Sequence, residues 1–408
     1  MKSAPVLTFI ASISVLGACA SSAKNPMSAS QTPNTIINGV ISPITNYAIP
    51  SSQQVIKSME KVANWQLPRL TKLDYLSYKR GESEVPTDWV QGTFFTGLTE
   101  LAERSDNRIY EDFVYLRGIT NDWQMGDRVK FGDDQLIAQS YIWYHLRNPT
   151  PIALEHVQTS FDSILRNPPD VELTFYDEQD ENNMHSCQER WCWADALFMA
   201  PPVWFALSEV TNDPVYADYA NQEFKATVDF LYDEDLHLMY RDSRFFDKKG
   251  EFGEPVFWAR GSGWVFAGLV RTMEYIEQDH PDRQFYETLY LEMAEKLQSL
   301  QRQDGAWSMS LLAKEKIKEP EMSGTGFFVY GLAWGINQGL LSKEDYWPTV
   351  AKGWHALNTS VHGNGKLGWV QGIGAAPGEV SYDDSQIYGV GAYLLAGSMI
   401  YDMAKLKQ

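Results

Sequence analysis

The sequence predicts an all-α fold, an (α/α)6 barrel of six inner and six outer helices, on two observations. Apolar residues recur at helical spacing in twelve segments, and those segments alternate strictly between two kinds of composition. One kind is amphipathic and charged; the other is nearly uncharged after its first turn and rich in small residues. Twelve such helices close into two concentric rings. The competing arrangements are a two-domain bundle and a solenoid of helical hairpins, and a solenoid would need atypical capping repeats, which the chain lacks.

The outer set comprises residues 51–66, 107–118, 149–167, 213–233, 280–303 and 342–358. These segments often open on Ser, Asp, Asn or Pro, which satisfy or dispense with the unpaired N–H groups of a first turn. The inner set comprises 89–103, 133–146, 195–210, 260–276, 323–341 and 383–401. A helix that is apolar all round is buried all round. Each glycine inside such a helix costs about 1 kcal/mol, and close approach of neighbouring helices is the expected offset. Pro201 and Pro202 fall within the third inner segment, where they should disturb the helix.

Consecutive inner helices of such a barrel run parallel, so their N-terminal ends share one mouth. Those ends hold Trp89 and Gly92, Asp133 and Asp134, Trp193 and Asp195, then Trp258, Arg260 and Trp264, Ser323 and Thr325, and Asp383 and Asp384. Singly, each has a plain structural reading. The acids suit N-caps and first turns, the preferred reading for Asp383 and Asp384; Arg260 suits an ion pair with an acid, and the tryptophans suit the core. Their shared position instead describes an aromatic-lined pocket with carboxylates and one Arg. Such a pocket suits a sugar acid, because Trp faces stack on pyranose rings and Arg grips a carboxylate bidentately. Asp195 is the sharpest case: it stands between Trp193 and a run of large apolar residues, where an ionised carboxylate is costly.

A chain of 408 residues with 44% hydrophobic residues and 14 Trp can bury a large core. The formal charge of −19 disfavours nucleic acid and anionic membrane surfaces as partners. An anionic substrate would therefore have to be met by local Arg or Lys against the overall field. The N-terminal stretch, residues 1–19, pairs one Lys with an apolar run too short to span a membrane and ends Leu16-Gly17-Ala18-Cys19. It resembles a bacterial lipoprotein signal, which implies a lipid anchor on Cys19, a place in the cell envelope and, with no acid after Cys19, the outer membrane. Residues 20–50, rich in Ser, Asn, Thr and Pro, are expected to be a tether, and residues 51–408 the catalytic domain. The spacing of Cys187 and Cys192 permits a local disulfide without requiring one. Two cysteines and His185 fall short of the four ligands of a structural zinc site, so no metal is expected.

The stretches RWCWADALFMAPPVWFAL, FWARGSGWVFAGL, DGAWSMSLL, EMSGTGFFVYGLAWGINQGLL and DDSQIYGVGAYLLAGS resemble, in order, the recurring motifs of glycoside hydrolase family 105, the unsaturated rhamnogalacturonyl hydrolases. The resemblance implies an (α/α)6 barrel without a cofactor. It also implies removal of the 4,5-unsaturated uronic acid that polysaccharide lyases leave at the non-reducing end of oligosaccharides. On that resemblance Asp195 protonates C4 of the double bond and helps water add at C5. The family's second carboxylate falls on Asp133 by register, with Asp134 the alternative. Trp193, Trp258, Trp264 and Met199 line the uronyl site, Arg260 meets the anionic end, and His185 matches a family His only loosely.

One departure is Arg241, in LMYRDSRFF, where many pectin-acting members carry His. An extra Arg suits a sulfated sugar, so products of pectin and of ulvan, a sulfated algal polysaccharide, both stay open. Two other classes compete: a related barrel lyase or ordinary glycosidase, needing a Tyr-His pair or an apposed second carboxylate, and a surface glycan-binding lipoprotein that would not require Asp195.

Overall fold

A computed structural model of the chain describes residues 47–77, 81–175 and 187–406. Cys19, the proposed signal, most of the tether and His185 lie outside the described residues.

The predicted alternation is present throughout. The helices run α1 Ser52–Gln66, α2 Trp89–Arg104, α3 Ile109–Thr120, α4 Gly132–Gln135, α5 Ala138–Arg147, α6 Ile152–Arg166 and α7 Ala196–Met199. They continue with α8 Pro201–Thr211, α9 Pro214–Leu231, α10 Ala259–Met273, α11 Arg283–Ser299, α12 Met322–Asn337, α13 Lys343–Thr359 and α14 Ile387–Leu406. The inner ring is α2, α4–α5, α7–α8, α10, α12 and α14, each element packing on the next, with α14 closing on α2. The outer helices α1, α3, α6, α9, α11 and α13 each lie against it, and the arrangement is an (α/α)6 barrel.

The outer helices begin as their sequences ask. Ser51 caps α1 in a capping box, its Oγ accepting from the Gln54 N–H at 3.2 Å while Gln54 Oε1 accepts from the Ser51 N–H at 2.9 Å. Asp213 caps α9 through the Val215 N–H, with Pro214 at the first position. The inner helices are buried on every side, as α12 shows from Met322 to Ile336. Glycine permits that closeness: a Cβ on Gly97 of α2 would strike the backbone of Gly391 on α14, and a Cβ on Gly391 would strike Thr93.

Two inner helices are broken, both at the mouth. Pro201 and Pro202 end α7 after one turn and occupy the first positions of α8, where a missing N–H costs nothing. The disturbance expected of them is thus a division of the segment at Ala200, with a new helix starting on the prolines. A two-stranded hairpin, Tyr232–Asp233 antiparallel to Leu238–Met239, follows α9 and leads into Arg241.

Around the mouth, the segment entering one inner helix is tied to a neighbouring loop. Ala194 N–H donates to the Arg241 carbonyl at 2.7 Å, Ala259 N–H to Met309 at 2.9 Å and Met322 N–H to Trp369 at 2.9 Å. This ring of backbone bonds gives the inner-helix starts a fixed frame.

Candidate active site

The starts of the inner helices, the loop between α9 and α10 and the loop before α14 enclose a cavity of about 400 Å³. Trp89, Asp133, Trp193, Asp195, Met199, Trp258, Arg260, Trp264 and Arg241, all singled out in the sequence, line it.

Asp195 is delivered by a constrained loop. Cys187 and Cys192 are joined by a disulfide. Between them Trp191 adopts φ +59°, a left-handed conformation costly for a bulky residue; its carbonyl is held by Thr227 Oγ1 at 3.0 Å and its ring is buried. Asp195 then stands at the start of α7, as a cap would, yet its backbone is already helical and its carboxylate makes no capping bond. The carboxylate instead faces the cavity. Its Oδ2 accepts from Arg241 Nε at 3.4 Å, and its Oδ1 is buried without a hydrogen-bond partner among the described residues. Burial pushes the Asp195 carboxyl above its ordinary range, against the lowering pull of Arg241 and Arg260.

The two adjacent acids of GDDQ take opposite directions. Asp133 faces the cavity, and its carboxyl lies well above the usual range through burial and the nearby charges of Asp88 and Asp195. Asp134 is turned away from the cavity and grips Arg128, accepting from the Arg128 backbone N–H at 2.8 Å and from its guanidinium. The Arg128 guanidinium lies over Phe131 at 4.0 Å, and Phe131 stacks on Trp193 with centroids 4.9 Å apart. Asp134 thus holds one wall of the site without lining it.

Arg260 is fully buried. Its two terminal nitrogens donate to the carbonyls of Gln371 at 3.0 Å and Gly372 at 2.8 Å, and the guanidinium lies 4.2 Å over Trp258. Among the described residues no carboxylate lies within ion-pair distance of it, and its Nε has no partner. The ion pair anticipated as its structural role is therefore absent. A desolvated cation facing a cavity is costly until an anion arrives. Trp258 is itself fixed by a 2.9 Å bond from Nε1 to Gln371 Oε1, and Trp264 packs edge-on against Trp89.

Several residues expected at the mouth serve the frame instead. Ser323 and Thr325 bind Glu321, whose carboxylate caps α12 through the Ser323 and Gly324 N–H groups. Asp383 and Asp384 precede α14 in a turn and do not cap it; Asp384 binds Ser77 and the Ser381 N–H. Conversely, the structure adds Arg128, Phe131, Phe175, Gln188, Arg244 and the Ile373–Gly374–Ala375 loop to the lining. Arg244 was within sight in the sequence, three residues after Arg241; nothing marked Phe175. Among the described residues no cluster of His, Cys, Asp and Glu could hold a metal ion.

An (α/α)6 barrel whose mouth joins raised-pKa carboxylates, a buried Arg with no carboxylate partner among the described residues and a tryptophan wall defines a carbohydrate-active enzyme for an acidic sugar. The family model for Glycosyl Hydrolase Family 88 matches residues 56–404, and the chain belongs to that family; it is a glycoside hydrolase. It is 42% identical over 345 residues to an unsaturated 3S-rhamnoglycuronyl hydrolase of Alteromonas sp. (strain LOR), covering 83% of this chain and 84% of the relative. A family 88 glycosyl hydrolase from Bacteroides vulgatus superposes with TM-score 0.75 at 26% identity, covering 86% of this chain and 99% of its own. A possible family 105 member from Klebsiella pneumoniae shares the fold, with TM-score 0.70 and 14% identity over 91% of this chain and 100% of its own. The motif resemblance and the barrel expectation both hold.

Proposed function

We propose that this hydrolase removes a 4,5-unsaturated uronic acid from the non-reducing end of lyase-generated oligosaccharides in which that sugar is joined to rhamnose. The name of the Alteromonas relative supports a rhamnose sulfated at O3, the ulvan case, over the pectic one. The observation that carries the reading is that Asp195, with a buried oxygen lacking a hydrogen-bond partner, and Arg260, a buried cation lacking a carboxylate partner, both among the described residues, face one tryptophan-lined cavity.

The chemistry follows from those two groups. Arg260 receives the uronic carboxylate, which places the conjugated double bond beside Asp195. Asp195, whose pKa burial raises, donates its proton to C4, and positive charge develops at C5 and the ring oxygen. Water adds at C5, its proton returning to the Asp195 carboxylate with Asp133 beside it to hold the water or balance the charge. The hemiketal so formed opens and the glycosidic bond breaks. No carboxylate attacks the anomeric carbon, so the separation rule of retaining and inverting glycosidases does not apply. A lyase reading is less well served, since the described lining holds neither Tyr nor His.

The test is loss of the enol-ether absorbance when lyase-digested ulvan or rhamnogalacturonan is added. Wild type bleaches the band; Asp195→Asn binds without bleaching it, and Arg260→Ala raises KM by on the order of 100-fold. Near-normal turnover by Asp195→Asn would refute the assignment.

We further propose an envelope location with a lipid on Cys19, which the disulfide of Cys187 and Cys192 supports, since such bonds persist in oxidising compartments. Labelled palmitate should enter the wild type and not Cys19→Ala; equal labelling or none removes the anchor.

A further inference from the structure

Arg260 is the cation that the proposed reaction sets against the uronic carboxylate, and what holds it converges on one residue of the loop before α14. Its terminal nitrogens donate to the carbonyls of Gln371 and Gly372, and its guanidinium lies 4.2 Å over the Trp258 ring and 4.8 Å over the Tyr388 ring. Gln371 provides the first carbonyl and precedes the second. It also bonds both rings: its Oε1 accepts from Trp258 Nε1 at 2.9 Å, and its carbonyl accepts from the Tyr388 hydroxyl.

The remaining polar groups of Gln371 fix it in turn. Its N–H donates to Glu321 Oε1 at 3.2 Å, and that fully buried carboxylate also caps α12. Its Nε2 donates to the Ala376 carbonyl at 2.8 Å, which ties back the Ile373–Gly374–Ala375 segment that lines the cavity. Gln371 is buried, so these bonds are shielded from water and strengthened by the low local dielectric. A guanidinium on a flexible stem loses rotamer freedom when it grips an anion. Here the carbonyls and ring faces have removed that freedom before the substrate arrives. Carbonyls are neutral acceptors, so they hold the cation and leave its full charge for an anion.

We propose that Gln371 is a positioning residue for the reaction, fixing the plane of Arg260 and so the place where the substrate carboxylate, with the double bond conjugated to it, comes to rest. The inference rests on the uronyl hydrolase reading and adds to it a residue that acts through Arg260 and Trp258, for Gln371 does not itself line the cavity. Arg260 meets the carboxylate in the bound substrate as well as in the transition state, so disturbing its plane costs affinity more than turnover.

The experiment uses the unsaturated disaccharides released by lyases from ulvan and from rhamnogalacturonan, each as the free acid and as the uronic methyl ester, which keeps the double bond and loses the anion. Enol-ether absorbance gives kcat and KM. Wild type should prefer the acid by on the order of 10- to 100-fold in KM. Gln371→Met has no acceptor for Trp258 and no donor for Ala376; it should raise KM for the acid by on the order of 10-fold, hold kcat within a few-fold and leave KM for the ester nearly unchanged. Asp384→Asn loosens the same loop at its bonds to Ser77 and Ser381, and should lower Tm without raising KM. Melting curves check folding. Should Gln371→Met fail to fold, Gln371→Glu decides by the same ratio, since it removes the donor to Ala376 and should also raise KM for the acid alone. An unchanged acid KM in the folded Gln371 variant, a rise shared by acid and ester, or a matching rise in Asp384→Asn overturns the positioning role alone. Equal wild-type KM for acid and ester removes the carboxylate contact of Arg260 and the positioning role with it. A wild type that bleaches none of the substrates overturns the hydrolase reading beneath both.

Discussion

The barrel buries charge at both ends, and the two ends treat it differently. At the far end, where the inner helices finish, Arg271 donates to Glu100 Oε1 at 3.1 Å and to Gln139 Oε1 at 2.7 Å. Arg104 pairs there with Glu100 at 2.8 Å and with Asp402. Burial raises the Glu100 carboxyl, but Arg104 and Arg271 outweigh it and hold it below the usual range. At the mouth, the same residue types are left incomplete: among the described residues Asp195 keeps an oxygen without a hydrogen-bond partner, and Arg260 has carbonyls where an anion would serve better. A structural charge network is satisfied by the protein itself. A site leaves the last partner to the substrate, and that incompleteness, rather than burial or charge, separates function from framework.

The comparison is broken most directly by neutralising one acid at each end. Glu100→Gln removes one partner from a largely buried network, at a cost of about 3 kcal/mol, which lowers Tm by on the order of 5 °C. Turnover per folded molecule should stay close to that of wild type. Asp195→Asn should do the reverse, losing on the order of 1000-fold or more in kcat with Tm held or raised, because it removes a carboxylate that burial disfavours. Thermal melts beside absorbance kinetics read both quantities. Should Glu100→Gln lose turnover without losing stability, the far end is not merely structural and the division between the ends fails.

The same contrast explains what the sequence reveals and what it withholds. The helix alternation is legible because amphipathic and uniformly apolar segments differ in local composition, and Gly97 and Gly391 mark closeness that only glycine allows. The inner-helix starts are legible as a group for the same reason, and they yield Asp195, Asp133, Arg260 and the tryptophans. Register alone cannot decide which of two adjacent acids faces the cavity. Asp133 and Asp134 separate because Arg128, in the loop leading into α4, captures one of them. Nor does composition distinguish Asp384, tied to Ser77 some three hundred residues away, from an N-cap. Phe175 and Asp242 act through contacts between loops, and no periodicity marks them.

A finer prediction concerns Asp195 and uses charges of opposite sign on the same loop. Asp195 must hold a proton to act as the acid, so activity falls as pH climbs through its raised pKa. Arg241 lowers that pKa by its charge and its hydrogen bond, whereas Asp242 raises it by charge. Arg241→Met therefore pushes the Asp195 pKa higher and moves the alkaline limb of kcat/KM to higher pH. Asp242→Asn removes the anion that offsets the arginines, pulls the pKa down and moves the limb to lower pH. With each profile normalised to its own maximum, the relative rates at one pH on the falling limb should differ several-fold between the two variants, wild type lying between them. A general loosening of the loop would move both limbs the same way, because both substitutions untie Arg241 from Asp242. Opposite displacements would thus identify the loop as an electrostatic setting of the acid, and displacements of one sign would reduce it to scaffolding.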